Sequence, residues 1–385
     1  MRSLFFDDRY LEIYGAQENV LQMAKLAEGL GHDVVFVTTA EGALAAEARR
    51  RQLPVRVVTA PASLRRFEGT TLSGGPLHLL RFASDLVRYN FALGQLVREW
   101  SPDVVVSAAV RPSTLLLGSR LLVRAPQILY AQNSIPRGLL AALVGLASTQ
   151  IWLIGPGARP TFPSWFQRLC SRRFRDHPSG RDLGSFSVSE RRWGRQPVPV
   201  VTVSSLTRRK GIHLLIDALA KVEAQGHRTT LVVVGGANEP ISEQYAAELQ
   251  DQAGKESLDV RFVGWQDDVR AYLSEAELFV LASENEGLPG VLIEAMASGL
   301  PCVTTRAGSA GALIDEAGAG ASVAVGDVDG LASAIGRLCM SGAERRGHGE
   351  RGRVYVEEQL GLEAWADRLA VMLEETVSEY KRAAR

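Results

Sequence analysis

Between two apolar runs, Leu278-Phe279-Val280-Leu281 and Cys302-Val303-Thr304, lies the stretch that most restricts what this chain can become. It reads Ser283-Glu284-Asn285-Glu286-Gly287-Leu288-Pro289-Gly290-Val291-Leu292-Ile293-Glu294-Ala295-Met296-Ala297-Ser298-Gly299-Leu300-Pro301. The flanking runs read as buried strands, and the segment from about Gly290 to Ser298 reads as a short helix. Gly299 stands where a helix C-terminus favours positive φ, and Pro301 blocks continuation. Glu286 then lies in a polar loop just before the helix, and Glu294 about one turn inside it.

Carboxylates accept strongly from hydroxyls, so this pair suits a polyol. The amides near Gly287 and Gly290 sit at a helix N-terminus, where unpaired N–H groups and the helix dipole attract anions. Polyol and anion recognition together point to a sugar phosphate or a nucleotide sugar. The alternative is a solvated loop residue at Glu286 and a surface helix residue at Glu294. The full run, Glu286-x7-Glu294 with Gly-Leu-Pro inside it and Glu-Ala-Met-Ala-Ser-Gly-Leu-Pro at its end, resembles the retaining nucleotide-sugar glycosyltransferases of family four, also called group 1. That family has the α/β GT-B fold, two Rossmann-like doubly wound parallel-sheet domains facing a cleft. The resemblance implies that Glu294 binds the nucleotide ribose. It also implies that Glu286, with the backbone of Gly287, Leu288, Pro289 and Gly290, holds the donor sugar and its diphosphate.

Length and composition are compatible with that reading. A chain of 385 residues, 46 % hydrophobic, supplies two domains of ordinary size. The formal net charge is zero, so no global field points to nucleic acid as a partner. Cys170, Cys302 and Cys339 are far apart and form no C-x-x-C pair, which argues against a disulfide framework and for a reducing compartment. The opening Met1-Arg2-Ser3-Leu4-Phe5-Phe6-Asp7-Asp8 turns acidic too soon for a signal peptide. Together these favour a cytoplasmic location, with the inner face of the membrane as a further option. Leu139 to Ile154, the most apolar run, is too short for a membrane span and reads as a buried helix turning into a strand.

In the first half, Ser3 to Phe6 reads as a strand, about Ala16 to Leu30 as a helix, and Asp33 to Thr38 as the next strand. This order calls for a parallel sheet with right-handed crossovers. The loop Glu12-Ile13-Tyr14-Gly15-Ala16-Gln17-Glu18 resembles the family's first glycine-rich loop, with Ala16 in place of a second glycine. Gly15 and Ala16 are therefore candidates for the cleft, with a plain helix N-terminus as the alternative. Helix Glu41 to Gln52 and strand Val55 to Thr59 follow. Arg49, Arg50, Arg51, Arg56, Arg65 and Arg66 make this region basic: a solvated face, or a peripheral contact with an anionic membrane or an acidic acceptor. Strand Gln127 to Tyr130 ends at Gln132-Asn133, and strand ends are where open α/β sheets put ligands. Many relatives carry a histidine there. Gln132 or Asn133 can hydrogen-bond a sugar hydroxyl but cannot trade protons near neutral pH. His177-Pro178-Ser179-Gly180-Arg181-Asp182-Leu183-Gly184-Ser185-Phe186 resembles the family's interdomain "N-G-V-D-x-x-x-F" passage, which makes His177 a loop residue rather than a base.

In the second half, Ser204-Ser205-Leu206-Thr207-Arg208-Arg209-Lys210-Gly211 resembles the family's "G-R-L-x-x-x-K-G" loop, whose arginine and lysine neutralise the donor diphosphate. Lys210 matches. Ser205 stands where the arginine is expected, so Arg208 or Arg209 is the candidate substitute. Gly235 ends another strand at the same edge, and Gly264 in Phe262-Val263-Gly264 matches a position whose backbone meets the base. Asp327-Val328-Asp329 imitates a metal-binding D-x-D, but it opens a helix, where aspartates cap.

The expected organisation is an acceptor-side domain over residues 1–190, a donor domain over 197–362, and a C-terminal helix over 363–385 returning to the first domain. The expected activity is metal-independent, cofactor-free transfer of a sugar from a nucleotide sugar to a glycosyl acceptor with retention. Lys210 and Glu286 would be its central residues. The rivals are an epimerase or phosphorylase on the same fold, and a non-catalytic donor-binding partner subunit.

Overall fold

Most strands grow from apolar runs of four to six residues, and among the described residues the paired strands all run parallel. The structure is a computed structural model and describes residues 1–8, 11, 13, 15–65, 76–118, 124–132, 138–186, 191–236 and 240–383. Those residues form two units, Met1–Pro178 with Ala366–Arg385, and Ser179–Trp365.

In the first unit the strands are β1 (Arg2–Asp7), β2 (Asp33–Thr38), β3 (Val55–Val57), β4 (Val104–Ser107), β5 (Gln127–Ala131), β6 (Gln150–Leu153) and β7 (Phe174–Asp176). They lie in the order β3-β2-β1-β4-β5-β6-β7, all neighbours parallel. This is a doubly wound sheet: the chain steps outward one way from β1 and, after β3, the other way from β4. Leu4, Phe6, Val35, Val37 and Val105 point to one face, where Phe82, Tyr89, Leu93 and Val97 of the helix Pro76–Trp100 cover them. A parallel sheet needs cover on both faces, and this helix supplies it on one.

The helix Gly138–Ala147 differs from the expected buried helix. It buries Ala141, Ala142, Val144 and Gly145 and leaves Leu139, Leu143 and Leu146 exposed. Its small residues allow close approach to the sheet, so the leucines are turned outward. The stretch 150–153 is a strand, as expected. Of the basic region, Arg66 lies outside the described residues, while Arg49 pairs with Glu41, Arg50 with Glu47, and Arg51 with both Glu47 and Glu18.

His177 lies in the loop after β7, as expected, and is fully buried. Its ring packs 4.7 Å from that of Trp152, and its Nδ1 lies 3.2 Å from Met372 Sδ of the helix Leu362–Ala383. Burial, assisted by the positive charge of Arg368, lowers its pKa to about 3. The unfolded chain takes up this proton near pH 6.5 and the folded chain does not. Stability is therefore intact above that pH and falls as the pH drops toward about 3. The slope from this residue approaches 1.4 kcal/mol per pH unit, about the full single-proton value. Urea unfolding at stepped pH checks this: His177→Phe is expected to be less acid-sensitive than the wild type between pH 6 and pH 4 (on the order of one proton's linkage).

The second unit holds β8 (Val198–Val203), β9 (Thr229–Val234), β10 (Asp259–Phe262), β11 (Leu278–Leu281), β12 (Cys302–Thr305) and β13 (Gly320–Val323). Their order is β10-β9-β8-β11-β12-β13, again all parallel. Alternate residues serve opposite faces, as strand geometry requires. Val198, Val200, Leu278 and Val280 pack toward the helices Ile212–Ala224 and Val328–Met340. Val201, Val203, Phe279 and Leu281 pack toward Gly290–Ala297 and Ala310–Ala317.

The described residues 179–186, expected in the first domain, group with this second unit. The cause is local: Arg181 bridges to Gly361, and its N–H donates to Leu360 O at 2.8 Å. The segment Arg191–Pro199 is likewise fastened here. Arg191 donates to the carbonyls of Leu273, Ser298 and Gly299, and β8 begins at Val198. The helix Leu362–Ala383 passes from the second unit into the first at Ala366.

Candidate active site

Parallel strands leave their C-terminal ends and following loops at one edge of a sheet, and in the second unit the charged residues singled out above gather there. After β8 the chain turns through Ser204–Thr207 and a 3-10 turn, Arg208–Lys210, before the helix Ile212–Ala224. After β11 it runs through the loop holding Glu286 into the helix Gly290–Ala297. Two hydrogen bonds knit these loops: Glu284 N–H to Arg209 O at 2.8 Å, and Arg209 Nη1 to Asn285 O at 2.6 Å.

The knit brings Lys210 and Glu286 together. Lys210 Nζ lies 2.6 Å from Glu286 Oε1, with side chains only 15 % and 9 % exposed. A charge-assisted contact this short and this sheltered is stronger than a surface ion pair. Glu286 is therefore not the solvated loop residue of the alternative reading.

A third loop, after β12, fixes the position of the second. Ser309 N–H donates to Gly287 O at 3.0 Å, and Gly308 takes φ 58°. A Cβ on Gly308 would lie 1.7 Å from Glu286 O, so only glycine permits this approach. Gly308→Ala is expected to destabilise by about 2 kcal/mol, from left-handed strain and the displaced Glu286 carbonyl. Urea unfolding checks this as a lowered midpoint at unchanged slope.

Glu294 sits on the helix Gly290–Ala297, where burial raises its carboxyl pKa and Arg181 pulls it back. The same guanidinium crowds the helix start: a Cβ on Gly290 would lie 2.7 Å from Arg181 Nη2. Arg181 is thus a neighbour of this site that the spacing of the glutamates does not reveal. Leu288 packs on the core, and Pro289 begins the turn with its carbonyl accepting from Leu292 N–H at 3.1 Å.

The family model described as "Glycosyl transferases group 1" matches residues 198–341, which span every loop just described except the segment of Arg181. Residues 198–341 belong to the group 1 glycosyl transferases. The lipopolysaccharide core biosynthesis glycosyltransferase LpsE of Rhizobium meliloti (strain 1021) is 32 % identical over 168 residues, covering 44 % of this chain and 47 % of that protein. The glycogen synthase of Mycobacterium tuberculosis is 27 % identical over 320 residues, covering 72 % of this chain and 73 % of that one. The chain spans about half the length of several of the curated relatives it matches, LpsE among them. Among solved structures, Anabaena Alr3699/HepE in complex with UDP superposes with a TM-score of 0.80 at 19 % identity, covering 97 % of this chain and all of that one. That likeness shows the GT-B fold.

Within this group 1 unit the remaining expected residues separate. Gly235 N–H donates to Gly264 O at 2.9 Å, so these two strand ends meet. Trp265 beside them is exposed, and its Nε1 donates to Asp267 at 3.2 Å. Ser205 O accepts from Thr207 N–H at 2.9 Å, shaping the loop before Lys210. Arg208 turns away from Glu286: it pairs with Glu248 and lies 5.3 Å over the Tyr245 ring. Arg209 is held on the Asn285 carbonyl. Of the basic triplet, Lys210 alone reaches Glu286. Asp327 accepts from Gly330 N–H at 2.8 Å as a helix cap, and Asp329 pairs with Lys221 at 2.7 Å.

In the first unit, Gly15 and Ala16 open the helix Gly15–Gly29. Gln132 is buried, and its amide joins three segments. It donates to Ala16 O at 3.1 Å and Ala108 O at 2.9 Å, and accepts from Asn19 Nδ2 at 2.8 Å. Asn133 lies outside the described residues. Nearby, the buried Asp8 pairs with Arg111 Nε at 2.9 Å, and Gln17 donates to Asp7 at 3.1 Å. Asp7 and Asp8 carry a sequence signal only as an early acidic pair. The residues they meet lie in other elements.

Proposed function

We propose that this protein transfers a sugar from a nucleotide-diphosphate sugar to a glycosyl acceptor, with retention of configuration and without a metal. The observation that carries the reading is the sheltered Lys210–Glu286 pair, 2.6 Å apart, beside the start of the helix Gly290–Ala297 at the strand ends of a group 1 unit. An ammonium and a helix N-terminus both bind phosphate groups. The UDP complex of HepE, a protein of the same fold, supports a uridine nucleotide as the first donor to try.

In the proposed reaction the bond from sugar C1 to the diphosphate oxygen breaks. The acceptor oxygen bonds to C1 on the same face, and its proton passes to the departing phosphate oxygen. Negative charge grows on that phosphate, and Lys210 is the group placed to stabilise it. Glu294, partly sheltered and pulled toward its charged form by Arg181, would accept from the ribose hydroxyls. Gln132 supplies no base, since an amide does not titrate near neutral pH.

The test is calorimetry with a panel of nucleoside diphosphates and nucleotide sugars on the wild type, Lys210→Ala and Glu294→Ala, with and without chelator. One nucleotide should bind, more weakly to both variants and equally with chelator present. Retention is read from the anomeric configuration of the product by NMR. Binding abolished by chelator would overturn the metal-free reaction. No binding by any nucleotide would overturn the donor site.

A further inference from the structure

The helices Gly138–Ala147 and Ser164–Leu169 pack on each other in the first unit, where a Cβ on Gly145 would lie only 2.5 Å from Phe166 Cζ. Both belong to crossovers that step the same way across the sheet, β5 to β6 and β6 to β7. Right-handed connections therefore place both on one face of it. What they leave outside is apolar. Leu139, Leu143 and Leu146, at helical spacing, are 72 %, 58 % and 42 % exposed, and Trp165 and Leu169 on the next helix are 44 % and 74 % exposed. Single exposed leucines are ordinary, but a group of five large apolar side chains on adjacent helices marks a contact surface.

Its chemistry is set by charge. From Val104 to Arg175 the sequence has no aspartate, glutamate or lysine and nine arginines, in a chain that carries 43 residues of each sign. Arg159, Arg168 and Arg172 are exposed, and none forms an ion pair with a carboxylate among the described residues. The basic run Arg49-Arg50-Arg51 is different, since each of its arginines is already paired. Among the described residues, no helix is long and apolar enough to cross a membrane.

We propose that this surface docks on an anionic lipid bilayer. The leucines and Trp165 enter the headgroup layer while Arg159, Arg168 and Arg172 meet lipid phosphates. The proposal does not depend on the transfer chemistry.

The full chain is sedimented with vesicles of equimolar phosphatidylglycerol and phosphatidylcholine, and with vesicles of phosphatidylcholine alone. Binding to the mixed vesicles is expected to be at least about tenfold tighter and to weaken at high salt. Leu143→Gln with Leu169→Gln should lower it at any salt. Arg168→Ser and Arg172→Ser should each lower it about fivefold at low salt. Arg49→Ser, which removes a paired cation, should not change it. All these sites are exposed, and unchanged thermal unfolding shows that each variant is folded. Equal binding to both compositions, or binding to neither, would overturn the proposal. So would self-association that Leu143→Gln abolishes, because the surface would then be an interface between copies of this chain.

Discussion

Lys210→Met is expected to lower kcat by about two to three orders of magnitude, the usual size for losing a group that meets charge developing in the transition state. It should also weaken nucleotide diphosphate binding about ten- to a hundredfold, from a charge-assisted contact of roughly 1.5–3 kcal/mol. Methionine keeps most of the stem's packing and removes the charge. The effect exceeds that of a surface lysine because of what Lys210 leaves behind. Its ammonium lies 2.6 Å from the Glu286 carboxylate, and that carboxylate is only 9 % exposed. Without the lysine, Glu286 loses its ammonium partner and faces an incoming diphosphate with its negative charge less compensated. Glu286→Gln with Lys210→Met should therefore recover part of the lost affinity but not the lost kcat. Steady-state kinetics on the donor identified by calorimetry separates the two. A Lys210→Met enzyme with wild-type kcat would remove Lys210 from the chemistry.

That Lys210 and Glu286 pair with each other is a product of the fold, but each was legible as a candidate because it sits in a contiguous loop whose glycines and flanking strands are local features. Arg181 was not, because it reaches Gly290 and Glu294 from a segment far away in sequence, held by its backbone bond to Leu360. The same limit applies to Gln132. Its residue type announces a hydrogen-bonding amide, but Ala16, Ala108 and Asn19 as partners are products of the fold. The parallel strands could be read wherever an apolar run was long enough. β7, Phe-Arg-Asp, and β13, Gly-Ala-Ser-Val, gave no such run, because edge strands need only one paired side. For Gly138–Ala147, composition established a helix but not its orientation. With only leucine, alanine, valine and glycine in it, no polar residue marks the outer face, and only packing turns the small residues inward.

Glu277→Ala is expected to destabilise the second unit by about 3–5 kcal/mol, the cost of stranding a buried partner charge. Glu277, fully buried, receives Arg345 through Nε at 3.1 Å and Nη2 at 2.7 Å. It also accepts from Gly194 N–H at 2.9 Å and Arg195 N–H at 3.0 Å. Arg345, 1 % exposed, carries its other nitrogen to Leu338 O and Cys339 O at the end of the helix Val328–Met340. One carboxylate thus ties the entry to β8, the start of β11 and two helices. Burial alone would raise its pKa, but the bonds from Gly194, Arg345 and Arg195 outweigh that and hold it below the usual value. Its contribution is accordingly full above pH 4.5 and is lost as the pH falls through the lowered pKa. Thermal unfolding should show the transition of the second unit moving down while that of the first stays in place. A pairwise test distinguishes stranded charge from lost hydrogen bonds. If stranded charge dominates, Arg345→Met on the Glu277→Leu background should recover stability, because an apolar pair tolerates burial better than a lone guanidinium. If the double variant is as unstable as Glu277→Leu, the helix-end carbonyls and the Gly194–Arg195 amides, rather than the ion pair, set the stability of this junction.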